Sequence, residues 1–244
     1  MDGLRQSGSL KTLFPRGSDG AMQAVLVNTA GGVTGGDQFT LSAEVASLTQ
    51  LTLTTQTAER AYRALPGQVG SIENRIHVHA GARVNWLPQE TILFQNSALH
   101  RKLSIEMEED ARILLVEPLV FGRTTRGESL TDATLHDRIE IRRDGIPHFL
   151  DAVRMEGDLA AQLAHSNVAA GALSIALVLY VAPDAEAHLA PIRHGLPPTA
   201  GASLIHSDTL LVRILAIDSF DLRRSLVPLL NRLSHNSLPR PWMI

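Results

Sequence analysis

Ala24-Val-Leu-Val-Asn28-Thr-Ala-Gly-Gly-Val-Thr-Gly-Gly-Asp37 runs directly into Gln38-Phe-Thr-Leu-Ser-Ala-Glu-Val-Ala46. The entering segment Ala24–Val27 is apolar without a break and reads as a buried strand. The leaving segment alternates with a period of two, so it reads as a second strand and not as a helix. Between them Gly31, Gly32, Gly35 and Gly36 lack a Cβ, which permits positive φ and close approach of a neighbour. The stretch is therefore a structural turn from strand to strand. It is not a phosphate loop: that motif ends in Gly-Lys-Ser/Thr, whereas Gly36 is followed by the carboxylate of Asp37. The dinucleotide spacing is absent, and no helix N-terminus follows to receive an anion.

Outward from this turn the chain continues as short extended runs: Phe39–Val45, Leu51–Gln56, Arg75–Val78, Arg83–Leu87, Thr91–Phe94, Arg101–Met107 and Arg112–Glu117. His136–Arg143 and Pro147–Met155 are separated by Asp144-Gly145, a strong hairpin signal. Short strands at regular spacing predict a mainly-β architecture, either sandwich-like or a β-helix-like stack. No repeat period is clean enough to choose the solenoid. After about residue 157 the pattern mixes. Ala172–Val181 and Leu210–Ile217 read as strands, and Pro183–His194 as a helix. Asp218–Leu233 reads as a second helix, with Asp218 or Ser219 as N-cap and an apolar stripe of Leu222, Leu226, Leu229, Leu230 and Leu233. Pro228 should kink or shorten it. The reading is one domain over 1–244, β-rich over about 8–157 and mixed over about 158–244, with two helices in its second half. Leu238-Pro-Arg-Pro-Trp242 is an ordered or docking tail.

Composition narrows the function classes. At 244 residues, with 44% hydrophobic and 19% charged residues, the chain can bury a core without staples. It has no cysteine, which removes thiolate nucleophiles and soft metal ligands and fits a reducing, cytoplasmic setting. No run is long enough to span a membrane, and no apolar signal region opens the chain. A net charge of −3 and 4% aromatics give neither the basic field nor the stacking platforms of a nucleic-acid binder. The only lysines are Lys11 and Lys102; the arginine bias fits carboxylate pairing at interfaces or a GC-rich genome equally well. No Gly-x-Ser-x-Gly elbow is present.

Four segments, Asn28–Asp37, Thr54-Thr-Gln-Thr-Ala-Glu-Arg-Ala-Tyr-Arg-Ala64, Trp86-Leu-Pro-Gln-Glu-Thr-Ile-Leu-Phe94 and Leu119-Val-Phe-Gly-Arg-Thr-Thr-Arg-Gly-Glu128, occur in order. With Phe14-Pro-Arg16 and Arg142-Arg-Asp-Gly145 they resemble the UreD (UreH) family of urease accessory proteins, in order from about Gly8 to Gly157 and more weakly beyond. The chain departs from the family at its start, where an upstream strand usually precedes Gly8–Arg16. The resemblance implies a mostly-β stack of strands with two helices and no enzymatic activity. It implies binding to the urease apoprotein, to the helical accessory protein UreF and, through the complex, to the GTPase UreG. It implies no tightly bound cofactor, with Ni²⁺ in transit to the urease active site.

A chain that passes a metal on must bind it weakly and repeatedly, which spaced carboxylates and water achieve and clustered thiolates do not. The carboxylates in the motifs are Asp37, Glu59, Glu90, Glu117 and Glu128, with Asp151 and Glu156 on the hairpin after Gly145. Asp37, Glu90, Glu117, Glu128, Asp151 and Glu156 are the candidate nickel-path residues. Glu90 and Glu117 lie between apolar stretches, where a charge must be paired, solvated by a channel or shifted in pKa. The alternative for any one of them is a buried ion pair with an arginine such as Arg60, Arg123 or Arg126. Glu59, Arg60, Tyr62, Arg63 and Arg123 are candidate partner-binding residues, arginine and tyrosine being common interface anchors; core turns, or a salt bridge from Arg123 to Glu128, are the alternatives. His77 and His79 share a strand face and either chelate a metal or form an exposed solvated pair, the favoured reading. The second functional class is a stand-alone β-rich hydrolase built on a carboxylate pair such as Glu90 and Glu117.

Overall fold

The computed structural model describes residues 3–15, 21–123 and 127–243. The strands are β1 (Leu10–Leu13), β2 (Met22–Asn28), β3 (Gln38–Val45), β4 (Gln50–Thr55), β5 (Glu59–Ala61), β6 (Gly70–Val78), β7 (Arg83–Leu87), β8 (Thr91–Leu93), β9 (Ala98–Met107), β10 (Arg112–Phe121), β11 (Ala133–Arg143) and β12 (Ile146–Gly157). Helix α1 (Leu159–Ala164), β13 (Ser174–Val181), α2 (Ala185–Gly195), β14 (Ala200–His206), β15 (Thr209–Ala216) and α3 (Ser219–Leu233) follow, and the chain closes on a short 3₁₀ turn, Arg240–Met243.

Through β11 the chain alternates between two sheets and stacks parallel on itself as a solenoid. In one sheet β2, β4, β7 and β10 lie side by side in parallel; in the other β3, β6, β9 and β11 do the same. A third short side is made by Val33, β5, β8 and the last residues of β10, again stacked in parallel. The expectation left a sandwich and a stack open, and the stack is what forms. Its repeat is hidden in the sequence because the coils differ in length. Met22 stacks on Leu51, Leu51 on Val84 and Val84 on Ile113, steps of 29, 33 and 29 residues.

The second half extends this stack. The hairpin β11–β12 turns at Asp144 and Gly145, both at positive φ as a two-residue turn of this kind requires. β13, β15 and β14 then continue the larger sheet antiparallel from β10. Helix α1 goes beyond the two expected helices; Asp158 caps it, accepting from the Ala161 amide at 2.8 Å. Asp218 is the N-cap of α3 as expected. Pro228 does not shorten α3, which runs unbroken to Leu233. The expected leucine stripe is buried on the outer face of the larger sheet, and that packing outweighs the lost backbone bond.

Alternation along β10 divides the molecule. Leu114 and Val116 point outward into the cluster under α2 and α3, while Ile113, Leu115, Leu119 and Phe121 point into the space between the sheets. That inner space holds two separate apolar clusters. Leu103, Ile105, Leu115 and Ile139 belong to one, and Leu99, Leu119, Phe121 and Leu135 to the other.

Candidate functional site

The boundary between the two inner clusters is polar. On β9 the inward residues run Leu99, Arg101, Leu103; on β11 they run Leu135, Asp137, Ile139; on β10 they run Leu115, Glu117, Leu119. The central member of each set is charged, and stacking brings the three together. The Arg101 guanidinium donates to Asp137 through Nη2 at 2.6 Å and Nε at 3.2 Å. Its Nη1 lies 3.1 Å from the Glu117 carboxylate and 2.7 Å from the Thr91 hydroxyl. The Trp86 indole donates to the other Glu117 oxygen at 2.6 Å.

Charge does not balance in this cluster. One guanidinium faces two carboxylates, so with both acids ionised a buried negative charge remains. Burial pushes the Glu117 carboxyl above its ordinary value, against the pull of Arg101. Burial alone would lower the Arg101 pKa, but Asp137 and Glu117 together hold it above the ordinary arginine value. Two carboxyl groups set against one guanidinium can take up a cation that keeps much of its water when the Glu117 proton is released.

Two cavities share this cluster in their linings. One, of about 100 Å³, is lined by Asn28, Glu59, Arg60, Gln89, Trp86 and Phe39 among others, with Arg101, Glu117 and Asp137. The other, of about 390 Å³, is lined by Glu117 and Asp137 together with Ile139, Asp151, Met155 and Arg213 among others. The carboxylates of Glu117 and Asp137 thus border both spaces, with the Arg101 guanidinium bound between them. Each cavity has room for several waters.

The glycine-rich turn shapes one wall of the smaller cavity. Asn28 donates to the Gly32 carbonyl at 2.8 Å and to Glu59 at 3.1 Å. Burial raises the Glu59 pKa, and the Asn28 bond opposes the rise. Gly32 must be glycine: a Cβ there would lie 2.3 Å from the Tyr62 ring and 2.6 Å from the Arg60 carbonyl. Asp37 closes the turn by accepting from the Thr34 amide at 2.9 Å. Residues 28–33, 55–58 and 88–90 form the same corner of three successive coils, and Glu117-Pro118 lies at the corresponding place in the fourth. The chemistry-bearing motifs recur because they stack.

The candidate path residues are distributed unevenly. Glu117 and Asp151 border the cavities, and so does Glu59, read from sequence as a partner-binding residue. Asp151 is paired there with Arg213. Asp37, Glu90, Glu128 and Glu156 line neither cavity. Glu90 is buried against Arg223 at 3.1 Å, and Arg223 also reaches Gln89 and the carbonyl of Trp242. Glu90 and Glu117 are therefore held by different arginines, neither of them Arg60 or Arg123; Arg126 lies outside the described residues. Glu128 accepts from the Arg123 side chain through both oxygens, at 2.9 and 3.1 Å, and Glu156 pairs with His136 and Arg154 at the surface. Of the candidate partner residues, Tyr62 and Arg63 are exposed and Arg60 is half-buried. Phe94 joins Tyr62 and Arg123, its ring centroid 5.0 Å from that of Tyr62 and 4.5 Å from the Arg123 guanidinium.

Arg101 and Asp137 were not singled out from sequence. Their signal is present: each is a charge at an inward position of a strand whose other inward residues are apolar.

The profile of the UreD urease accessory protein family matches residues 1–243 of this chain. The chain belongs to the UreD family. It is 56% identical over 244 residues to the urease accessory protein UreD of Ruegeria pomeroyi, covering 100% of this chain and 95% of the relative. Against the UreD of Ruegeria sp. (strain TM1040) it is 51% identical over 254 residues, covering 100% of this chain and 84% of that one. Against the UreD of Rhizobium etli it is 39% identical over 240 residues, covering 98% and 88%. UreD membership implies a role in urease maturation. Among the described residues no helix is long and apolar enough to cross a membrane.

Proposed function

We propose that this chain is a cytoplasmic, non-catalytic urease maturation factor that binds apo-urease together with UreF and, through the complex, UreG, and passes Ni²⁺ along its interior. The observation that carries the reading is that two cavities share Glu117 and Asp137 in their linings, where two carboxyl groups face one guanidinium and offer oxygens to a passing cation. Nickel is cargo here, held by carboxylate oxygens and water. In transit it exchanges with the Arg101 guanidinium for the same two carboxylates, so the ion is bound without being trapped. Glu59 and Asp151 supply further oxygens in the two cavities. The cluster of exposed Tyr62 with partly buried Phe94 and Arg123 beside the glycine turn is the proposed partner face, with aromatic and arginine anchors of the kind interfaces use.

The test is urease activation in cells that express urease and the other accessory proteins with and without this chain, scoring activity and nickel content together. Both should fall without the chain and return with it. Fully loaded urease in its absence would remove the delivery role.

A further inference from the structure

On the opposite side of the smaller sheet from these two cavities, two neighbouring strands bring a second constellation together. Glu44 on β3 and His77 on β6 are cross-strand partners in register, and His79 follows two residues on at the end of β6. Ile76 and Val78 point into the core, so His77 and His79 share the outer face. The two imidazole rings lie 4.2 Å apart between centroids. One ligating atom from each of Glu44, His77 and His79 can be chosen so that all lie within 4.8 Å of one another.

What distinguishes this group from a chance surface pair is the way His79 is held. Its Nδ1 sits 2.9 Å from Glu108, and Glu108 is itself fixed by the Ala80 amide at 2.7 Å. Its Nε2 points to Glu44 at 2.7 Å. Carboxylates on both ring nitrogens favour the protonated ring and fix its orientation. A cation that displaces the Nε2 proton finds that nitrogen already aimed at one point, with Glu108 on Nδ1 as the carboxylate partner that metal-bound histidines commonly carry. The second imidazole and the Glu44 carboxylate flank that point. Glu44 is largely exposed, so its carboxylate can shift from His79 Nε2 onto a bound cation at the bond lengths of about 2.0–2.2 Å that such cations need.

We propose that Glu44, His77 and His79 form a binding site for a first-row divalent transition cation, with Glu108 as the residue that positions His79. Two imidazole nitrogens and one carboxylate select the nickel–copper–zinc group over magnesium or calcium. Waters complete the coordination, because the site is open to solvent. It stands on the outer face, apart from the Arg101 cluster, and does not depend on the delivery reading.

The test uses the full chain and the metal alone. Ni²⁺ is titrated calorimetrically into wild type, His77→Gln, His79→Gln, Glu108→Gln and Glu117→Gln, and Cu²⁺ is added for electron paramagnetic resonance. Wild type should bind one Ni²⁺ at this site. His77→Gln and His79→Gln should each lose it, and Glu108→Gln should weaken it by about 10–100-fold. Glu117→Gln should leave it intact, which separates this site from the interior path. Bound Cu²⁺ should show coupling to two imidazole nitrogens, reduced to one in either histidine variant. His77 is exposed, so its variant keeps the fold, and a thermal melt verifies that. No binding to wild type at millimolar Ni²⁺, unchanged binding in both histidine variants, or a copper spectrum without nitrogen coupling would each overturn the assignment.

Discussion

Replacing the members of the Arg101 cluster one at a time should give an unequal and pH-dependent set of stability losses. The side chains of Arg101, Glu117 and Asp137 are only 10%, 9% and 9% exposed, so solvent does little to screen them. Arg101→Met leaves two carboxylates facing each other in a buried space, and removing one partner of a buried pair costs about 3–5 kcal/mol. Asp137→Asn removes the two-point contact at 2.6 and 3.2 Å but leaves Arg101 matched by Glu117, for a loss of about 1.5–3 kcal/mol. Glu117→Gln keeps an acceptor for Trp86, removes the unbalanced charge and leaves Arg101 with Asp137, so it costs about 1 kcal/mol or less. The sign with pH follows from Glu117. Its folded pKa is raised above the ordinary 4.5, so the folded state holds the proton more tightly than the unfolded chain. Its stabilising contribution is present below the ordinary value and is lost as pH rises through the folded value. Relative to wild type, Glu117→Gln therefore gains stability on going from acid to mildly alkaline buffer. Urea unfolding of the three variants across that range reads both effects. An Arg101→Met chain as stable as wild type, or a Glu117→Gln chain that is the weakest of the three, would refute the reasoning.

Gly32→Ala places a methyl group into the Tyr62 ring and the Arg60 carbonyl; it should destabilise by about 1–3 kcal/mol in chemical denaturation, as overpacking does. Arg223→Met leaves buried Glu90 unpaired and frees the carbonyl of Trp242, so limited proteolysis should clip the C-terminal turn of the variant well before that of wild type. Tyr62→Ala with Arg123→Ala alters exposed and partly exposed side chains and should reduce co-purification with UreF or urease while the melting temperature stays within a few degrees.

The elements that the sequence made legible are those with local signals. The hairpin at Asp144-Gly145, the Asp218 cap and the leucine stripe of α3 each rest on residues a few positions apart. Strands β1, β5 and β14 and helix α1 were missed because they are short or carry small and polar residues, as in Glu59-Arg-Ala61 and Ala200-Gly-Ala202. The solenoid escaped because coil steps of 29 and 33 residues blur a fixed period. Glu117 could be singled out because it interrupts a continuous apolar run. Arg101 and Asp137 sit in alternating strands rich in surface charge, where an inward charge looks like its outward neighbours until the face of each position is known. The arginines that pair with Glu90 and Glu117 come from α3 and β9, and no local pattern could have identified them.

The most direct test of the interior path is the triple variant Arg101→Met/Glu117→Gln/Asp137→Asn, which removes both carboxylates without leaving the buried guanidinium unpaired. It is expressed with urease and its other accessory proteins and compared with wild type for nickel per urease and for activity. A unit charge about 4 Å from a cation is worth about 4 kcal/mol at an effective dielectric of 20. Losing even a third of that slows loading about tenfold. The account predicts a drop of at least that order in the rate of nickel loading, with the variant folded and still bound to its partners. Normal nickel content and activity in a folded, partner-bound variant would contradict it.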